Sequence, residues 1–271
     1  MFGIKNPFKS KPPYRLGLAL SGGGARGLAH AGALKALDEV GLRPDIVAGV
    51  SAGSIAAVMY AAGIKPELML DLFHNAKFTD FCELGMPNEG FFSLDRFKNF
   101  IRKNIPYNNL EDLPIKTVVG ATDLDNGRKA VFESGSIADC VAASCSIPIV
   151  FKPAKIDGIR YVDGGVLHNL PAWTIRDRCR VLIGINCSPL TNNNSKHRNG
   201  VLGVALRSYE LMAKTNSIPD MALCDMVVRT DEIARYQVFN LKELERVYES
   251  GYRDTMNNLL YHGFKRIRYS K

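Results

Sequence analysis

Leu16-Gly17-Leu18-Ala19-Leu20 is a short apolar run that stops at Ser21-Gly22-Gly23-Gly24, the pattern of a buried strand opening into a glycine turn. Ala33, Leu34, Leu37 and Val40 then recur at helical spacing before Gly41, so the spacing predicts a helix over 31–40. The alternation repeats with an apolar strand over 46–50 and a helix over 54–62 closed by Gly63. Further strands are predicted at 116–121, 128–133, 159–162, 181–185 and 226–229. Helical patterns recur at 136–143, 201–213 and 241–260. Strands alternating with helices imply an α/β fold, with a mostly parallel central sheet flanked by helices on both faces.

The 271 residues, 46% hydrophobic and 23% charged, suit one soluble domain whose core needs no disulfide or metal to hold it. The reading is a single domain over 16–262, between a basic N-terminal tail (1–15) and a basic C-terminal tail (263–271). The segment 191–200, with Asn192, Asn193 and Asn194, is polar and reads as a loop. No apolar run reaches about 18 residues, so a spanning helix is not expected. The first 15 residues lack the apolar stretch of a secretory signal.

The net charge of +8 changes the picture once it is located. Lys5, Lys9, Lys11 and Arg15 at one end, with Lys265, Arg266, Arg268 and Lys271 at the other, equal the whole excess. The body is therefore neutral, which argues against a nucleic-acid partner, whose basic patch spreads over the fold. The ends read as solvated tails, or as peripheral contacts with an anionic membrane surface. Cys82, Cys140, Cys145, Cys179, Cys187 and Cys224 show no CxxC spacing and no Cys/His cluster. Neither a metal site nor a disulfide framework is expected, and the compartment reads as reducing and cytoplasmic.

Three motifs carry the candidate chemistry. Gly49-Val50-Ser51-Ala52-Gly53 lies between a strand and a helix, the setting in which G-x-S-x-G forms a nucleophile elbow. Its glycines allow a turn too sharp for a Cβ and thrust Ser51 to the helix N-terminus, where the dipole favours negative charge. Gly22-Gly23-Gly24-Ala25-Arg26-Gly27 matches the dinucleotide pattern G-x-G-x-x-G, and it also fits an oxyanion hole of backbone N–H groups. The dinucleotide reading needs an acid after the second strand. Asp45 precedes that strand and Gly49-Val50-Ser51 follows it, so the oxyanion reading fits better. Arg26 either sets a fixed positive charge near the site or ties the loop down. Asp163-Gly164-Gly165 ends a strand with an acid and two glycines, which reads as a site residue or as a simple turn.

In this order the motifs resemble the patatin-like phospholipase family, and most of all its single-domain bacterial members. Ala121-Thr122-Asp123-Leu124, Ala143-Ser144-Cys145-Ser146-Ile147-Pro148 and Gly165-Val166-Leu167-His168-Asn169-Leu170-Pro171 also resemble family segments. The resemblance covers about residues 16–186. It implies a three-layer α/β/α fold and a lipid acyl hydrolase working on carboxylic esters. It further implies Ser51 as nucleophile, Asp163 as base in a Ser-Asp dyad, and the N–H groups of Gly22, Gly23 and Gly24 as oxyanion hole, with no metal and no cofactor.

Two alternatives stand beside it. A triad serine esterase acting on non-lipid esters would need a late histidine, and His262 is better placed than His168 or His197. A non-catalytic nucleotide-binding module would use the glycine loop alone. Phe73, Phe78, Phe81, Phe91, Phe92, Phe97 and Phe100, with Leu84, Met86 and Leu94, read mainly as core, and a few of them as lining for an acyl channel or cap over Ser51.

Overall fold

The computed structural model describes residues 11–74, 76–84, 90–189, 200–236 and 241–264, with Phe78 described by its backbone alone. The tail segments 1–10 and 265–271, the polar segment 191–199 with His197, and Met86 lie outside the described residues. Strand β1 (Tyr14–Leu20) leads through the glycine turn into α1 (Leu28–Glu39), and β2 (Ile46–Val50) leads into α2 (Ala52–Ala61). After α3 (Pro66–His74) and α4 (Phe78–Phe81), the two-residue strands β3 (Glu83–Leu84) and β4 (Phe92–Ser93) pair as a small ribbon, followed by α5 (Asp95–Asn104). Then come β5 (Lys116–Asp123), β6 (Arg128–Phe132), α6 (Ile137–Cys145), β7 (Ala154–Ile156) and β8 (Ile159–Asp163). The order ends with α7 (Ala172–Ile175), β9 (Cys179–Asn186), α8 (Val201–Met221), β10 (Met226–Arg229) and α9 (Leu244–Tyr261).

The main sheet has eight strands in the order β10-β9-β1-β2-β5-β8-β7, with β6 also on β5. Neighbours from β10 to β5 are parallel, while β6, β8 and β7 join antiparallel. Side chains alternate between the faces of a strand, and the sequence obeys this. Leu16, Leu18 and Leu20 of β1 and Ile183 and Ile185 of β9 enter the larger core with residues of α1, α2, α6 and α9. Ala19, Ala48, Val118 and Leu182 face a smaller core under α7. Both faces are covered, which makes the three-layer α/β/α arrangement. Each fully buried leucine contributes about 1.5–3 kcal/mol to holding it.

The register explains how distant motifs meet. On β5, β2 covers Lys116 to Gly120, β6 covers Val119 to Asp123, and β8 covers Ala121 to Asp123. Since β6 overlaps both of the others, β2 and β8 must share the opposite edge of β5, end to end. Val50 closes β2 opposite Gly120, and Asp163 closes β8 opposite Ala121. The elbow after β2 and the acid ending β8 therefore meet head to head.

Helix α8 runs to Met221, well past the expected end at 213, with Pro219 inside it. The polar run Lys214-Thr215-Asn216-Ser217 reads as an end, yet its inward side chains hold the loop after Asp163. Asn216 Nδ2 donates to the Val166 carbonyl at 2.7 Å, and His168 Nδ1 lies 2.9 Å from Asp220 Oδ2. Helices α3, α4 and α5 fall where the apolar stretch around the phenylalanines carries no clear period.

Candidate active site

Ser51 stands between β2 and α2 at φ 52 and ψ −127, a conformation that non-glycine residues seldom adopt. The strain is held by its surroundings. Its N–H donates to Ser144 Oγ at 2.7 Å, and that hydroxyl donates to the Gly120 carbonyl at 2.6 Å. Its carbonyl accepts from the Ser54 N–H and hydroxyl. A Cβ on Gly49 would strike the Gly53 carbonyl, and one on Gly53 would strike that of Leu20, so the elbow closes against β1. Ser51 is 5% exposed, and its side chain makes no cap bond to α2.

The glycine turn after β1 lies beside the elbow, because Leu20 pairs with Gly49. A Cβ on Gly22 would come within 3.1 Å of Ser51 Cβ, and one on Gly27 would meet Ala52 Cβ. Gly24 has φ 57, the left-handed conformation that glycine tolerates without cost in sterics. The N–H of Gly22 donates to the Asn169 carbonyl at 3.1 Å and is therefore already engaged. This departs from the expectation of three donors: among the described residues, the N–H groups of Gly23 and Gly24 meet no acceptor. Arg26 is buried and donates to the carbonyls of Ala234 and Tyr236 at 3.2 and 2.7 Å, tying the loop down. It also lines the polar cavity beside Ser51.

Asp163 is fully buried. Its N–H donates to the Ser146 carbonyl, and its Oδ1 accepts the Gly165 N–H at 2.8 Å. Its Oδ2 is buried without a hydrogen-bond partner of good geometry. An unmet acceptor in a dry site is costly, and such groups collect where chemistry is done. Desolvation pushes the Asp163 pKa up to about 6, against the weaker pull of the Ser51 hydroxyl, the Gly165 N–H and the Tyr209 hydroxyl. Gly164 packs against the Gly120 carbonyl and Val50, and a Cβ on Gly165 would lie 2.6 Å from the Tyr209 hydroxyl. Tyr209 comes from α8. Tyr209 was not singled out in sequence, and Ser144 and Asn169 fell inside family-like segments without a role of their own; only the folded chain sets all three beside Ser51 and Asp163.

Two cavities meet at Ser51. One, of about 170 Å³, is apolar and lined by Ile55, Met59, Met69, Phe73, Phe81 and Phe97 among others. The other, of about 30 Å³, adds Arg26, Asn169, Ser188, Tyr209 and Lys214. The phenylalanines thus divide. Phe73, Phe81 and Phe97 line the first cavity and pack on Phe100, whereas Phe91 is exposed.

Among the described residues no histidine lines either cavity. His262 caps α9 and meets the Tyr261 ring edge to face, and His168 pairs with Asp220. His74 faces Glu245, and His30 is buried against the Ser21 carbonyl, where desolvation lowers its pKa to about 4. Cys145 lines the apolar cavity, but burial pushes its thiol up, away from a reactive thiolate. No group of three metal-ligating side chains occurs among the described residues.

The sequence profile of the patatin-like phospholipase family matches residues 18–175. Over 92% of this chain, identity to the lysophospholipase NTE1 of Kluyveromyces lactis is 24%, and the matched part is 20% of that protein. An uncharacterized NTE family protein of Mycobacterium bovis is 34% identical over 58% of this chain and 44% of its own length. The chain thus spans less than half of either relative. Among solved structures, VipD from Legionella pneumophila superposes with a TM-score of 0.51 at 16% identity, over 93% of this chain and 68% of that one. That last likeness is one of fold.

Proposed function

Because the chain belongs to the patatin-like phospholipase family, we propose that it is a serine lipid acyl hydrolase with Ser51 as nucleophile and Asp163 as its base. The reading rests above all on one juxtaposition: a strained, nearly buried serine whose hydroxyl bears on the carboxylate of a fully buried aspartate, one oxygen of which has no hydrogen bond of good geometry. Ser51 Oγ attacks the ester carbonyl and its proton passes to Asp163. The N–H groups of Gly23 and Gly24 take the oxyanion. The C–O bond to the alcohol then breaks, and Asp163 protonates the departing oxygen. Water attacks the acyl-serine, Asp163 accepts and returns the proton, and the fatty acid leaves.

The apolar cavity receives the acyl chain, and the polar cavity beside Arg26 and Lys214 receives the alcohol side. The relatives' names favour a lysophospholipid. The test is fatty-acid release from a lysophospholipid by the purified chain, with loss in Ser51→Ala. Absence of release from this and every simple ester overturns the reading. The catalytic unit is one domain over 16–262.

Tyr209 tunes the base. Its hydroxyl favours the ionised Asp163, so Tyr209→Phe raises the carboxyl's pKa further. The acid limb of the kcat/KM profile should move to higher pH, with losses greatest near pH 6 and small above about pH 8. An unmoved limb contradicts the role.

No helix among the described residues is long and apolar enough to cross a membrane. The basic ends supply peripheral contact with anionic lipid. Removing residues 1–14 deletes Lys5, Lys9 and Lys11, each worth about 1 kcal/mol near such a surface. Cosedimentation with anionic vesicles should weaken on the order of 10²-fold at low salt, while a soluble ester is still hydrolysed. Equal binding leaves the tail as solvated sequence.

A further inference from the structure

From the shape of the apolar cavity we infer that the acyl group it accepts is of medium length, about eight carbons, with α2 as the ruler and Met59 and Met69 as the stop. The inference rests on the proposal that Ser51 is the acyl acceptor.

Ser51, Ala52, Ile55, Ala56 and Met59 all line the cavity. Their spacing, i, i+1, i+4, i+5, i+8, is a single helix face running away from the nucleophile. At 1.5 Å per residue, Met59 stands about 12 Å beyond Ser51 along the axis. The chain turns back there: Met59 lies in the last turn of α2 and Met69 in the first turns of α3. Both methionines are buried, at 0% and 2% exposure, so they wall the cavity on its α2–α3 side.

Near Ser51 the walls are small, with Gly24, Gly27, Ala31, Ala52 and Ala56 leaving room for an extended chain. The volume agrees with the length. An apolar cavity of about 150 Å³ holds a benzene molecule, and this one, at about 170 Å³, has room for slightly more. Methionine side chains are flexible, so the stop yields by about one carbon rather than cutting sharply. Longer chains must leave their ends outside the cavity and gain nothing from the extra methylenes.

The test uses the full chain and a straight-chain series of p-nitrophenyl esters from acetate to palmitate. Each methylene that enters the cavity is expected to raise kcat/KM about three- to fourfold. The rise should stop near octanoate. Met69→Ala deepens the cavity and should move the optimum toward laurate. Ala56→Leu fills it and should move the optimum toward butanoate. A folding defect cannot shift the optimum in opposite directions, and melting curves confirm that both variants are folded. A flat profile, or an optimum unmoved in both variants, overturns the ruler. If acetate is hydrolysed through Ser51 while the profile is flat, only the ruler fails. If no ester is hydrolysed and no fluorophosphonate labels Ser51, the acyl-hydrolase reading fails and the ruler with it.

Discussion

Ser51→Ala is expected to lower ester hydrolysis by on the order of 10⁴–10⁶ and to leave the fold intact, since losing one member of a serine hydrolase's catalytic unit has effects of that size. The fold should survive because the contacts that hold residue 51 in place are backbone contacts. Its N–H bonds Ser144, its carbonyl caps the first turn of α2, and its side chain makes no cap bond. Alanine can keep all of them. Hydrolysis and fluorophosphonate labelling should vanish together while the melting temperature stays near that of the wild type. Labelling that survives the change places the nucleophile elsewhere.

Asp163→Asn is expected to lower turnover by several orders of magnitude and, above about pH 6, to make the protein more stable. An ordinary aspartate is a feeble base, with a pKa near 3.9. Burial lifts Asp163 to about 6, which makes it a stronger base that is still ionised at neutral pH. The asparagine amide keeps the shape and removes the base.

The stability effect has the opposite sign. Because the folded pKa lies above the unfolded one, the carboxyl's favourable contribution is fully present below about pH 4. It is lost as pH rises through about 6, where a buried charge must form. The shift corresponds to roughly 3 kcal/mol at most, which is several degrees of melting temperature in a chain of this size. Asparagine has no charge to bury. Wild type and variant should therefore melt alike near pH 4, diverge as pH rises from about 4 to 6, and keep a steady gap above pH 6, with the variant higher. Near-normal turnover by the variant, or an unchanged melting difference across that range, contradicts the role of Asp163.

Much of the candidate site was legible because its motifs are local. Strand, glycine, serine and helix are neighbours in sequence at Gly49 to Gly53, and a G-x-S-x-G read there needs no tertiary information. The same holds for the turn at Gly22 to Gly24 and for Asp163 at a strand end. What the local pattern could not carry is partnership. Gly22 read as an oxyanion donor, but its N–H is taken by Asn169, far along the chain. Tyr209 lies in a helix whose inward face is partly polar, so neither an apolar period nor a motif marks it, and the family-like segment that contains Ser144 gives that serine no role of its own. The polar inner face of α8 also hid the true length of that helix. Around the phenylalanines the reverse happened: apolar residues on several short elements blurred into one stretch, and only the structure separates cavity-lining Phe73, Phe81 and Phe97 from exposed Phe91.

Peptide mapping of the wild-type protein after reaction with an alkyl fluorophosphonate shows whether Ser51 is the nucleophile. A single adduct is expected on the peptide carrying Ser51, forming more slowly as pH falls through about 6 and Asp163 takes up its proton. No adduct is expected in Ser51→Ala. An adduct on any other residue, or ester hydrolysis that persists in Ser51→Ala, would contradict this role for Ser51.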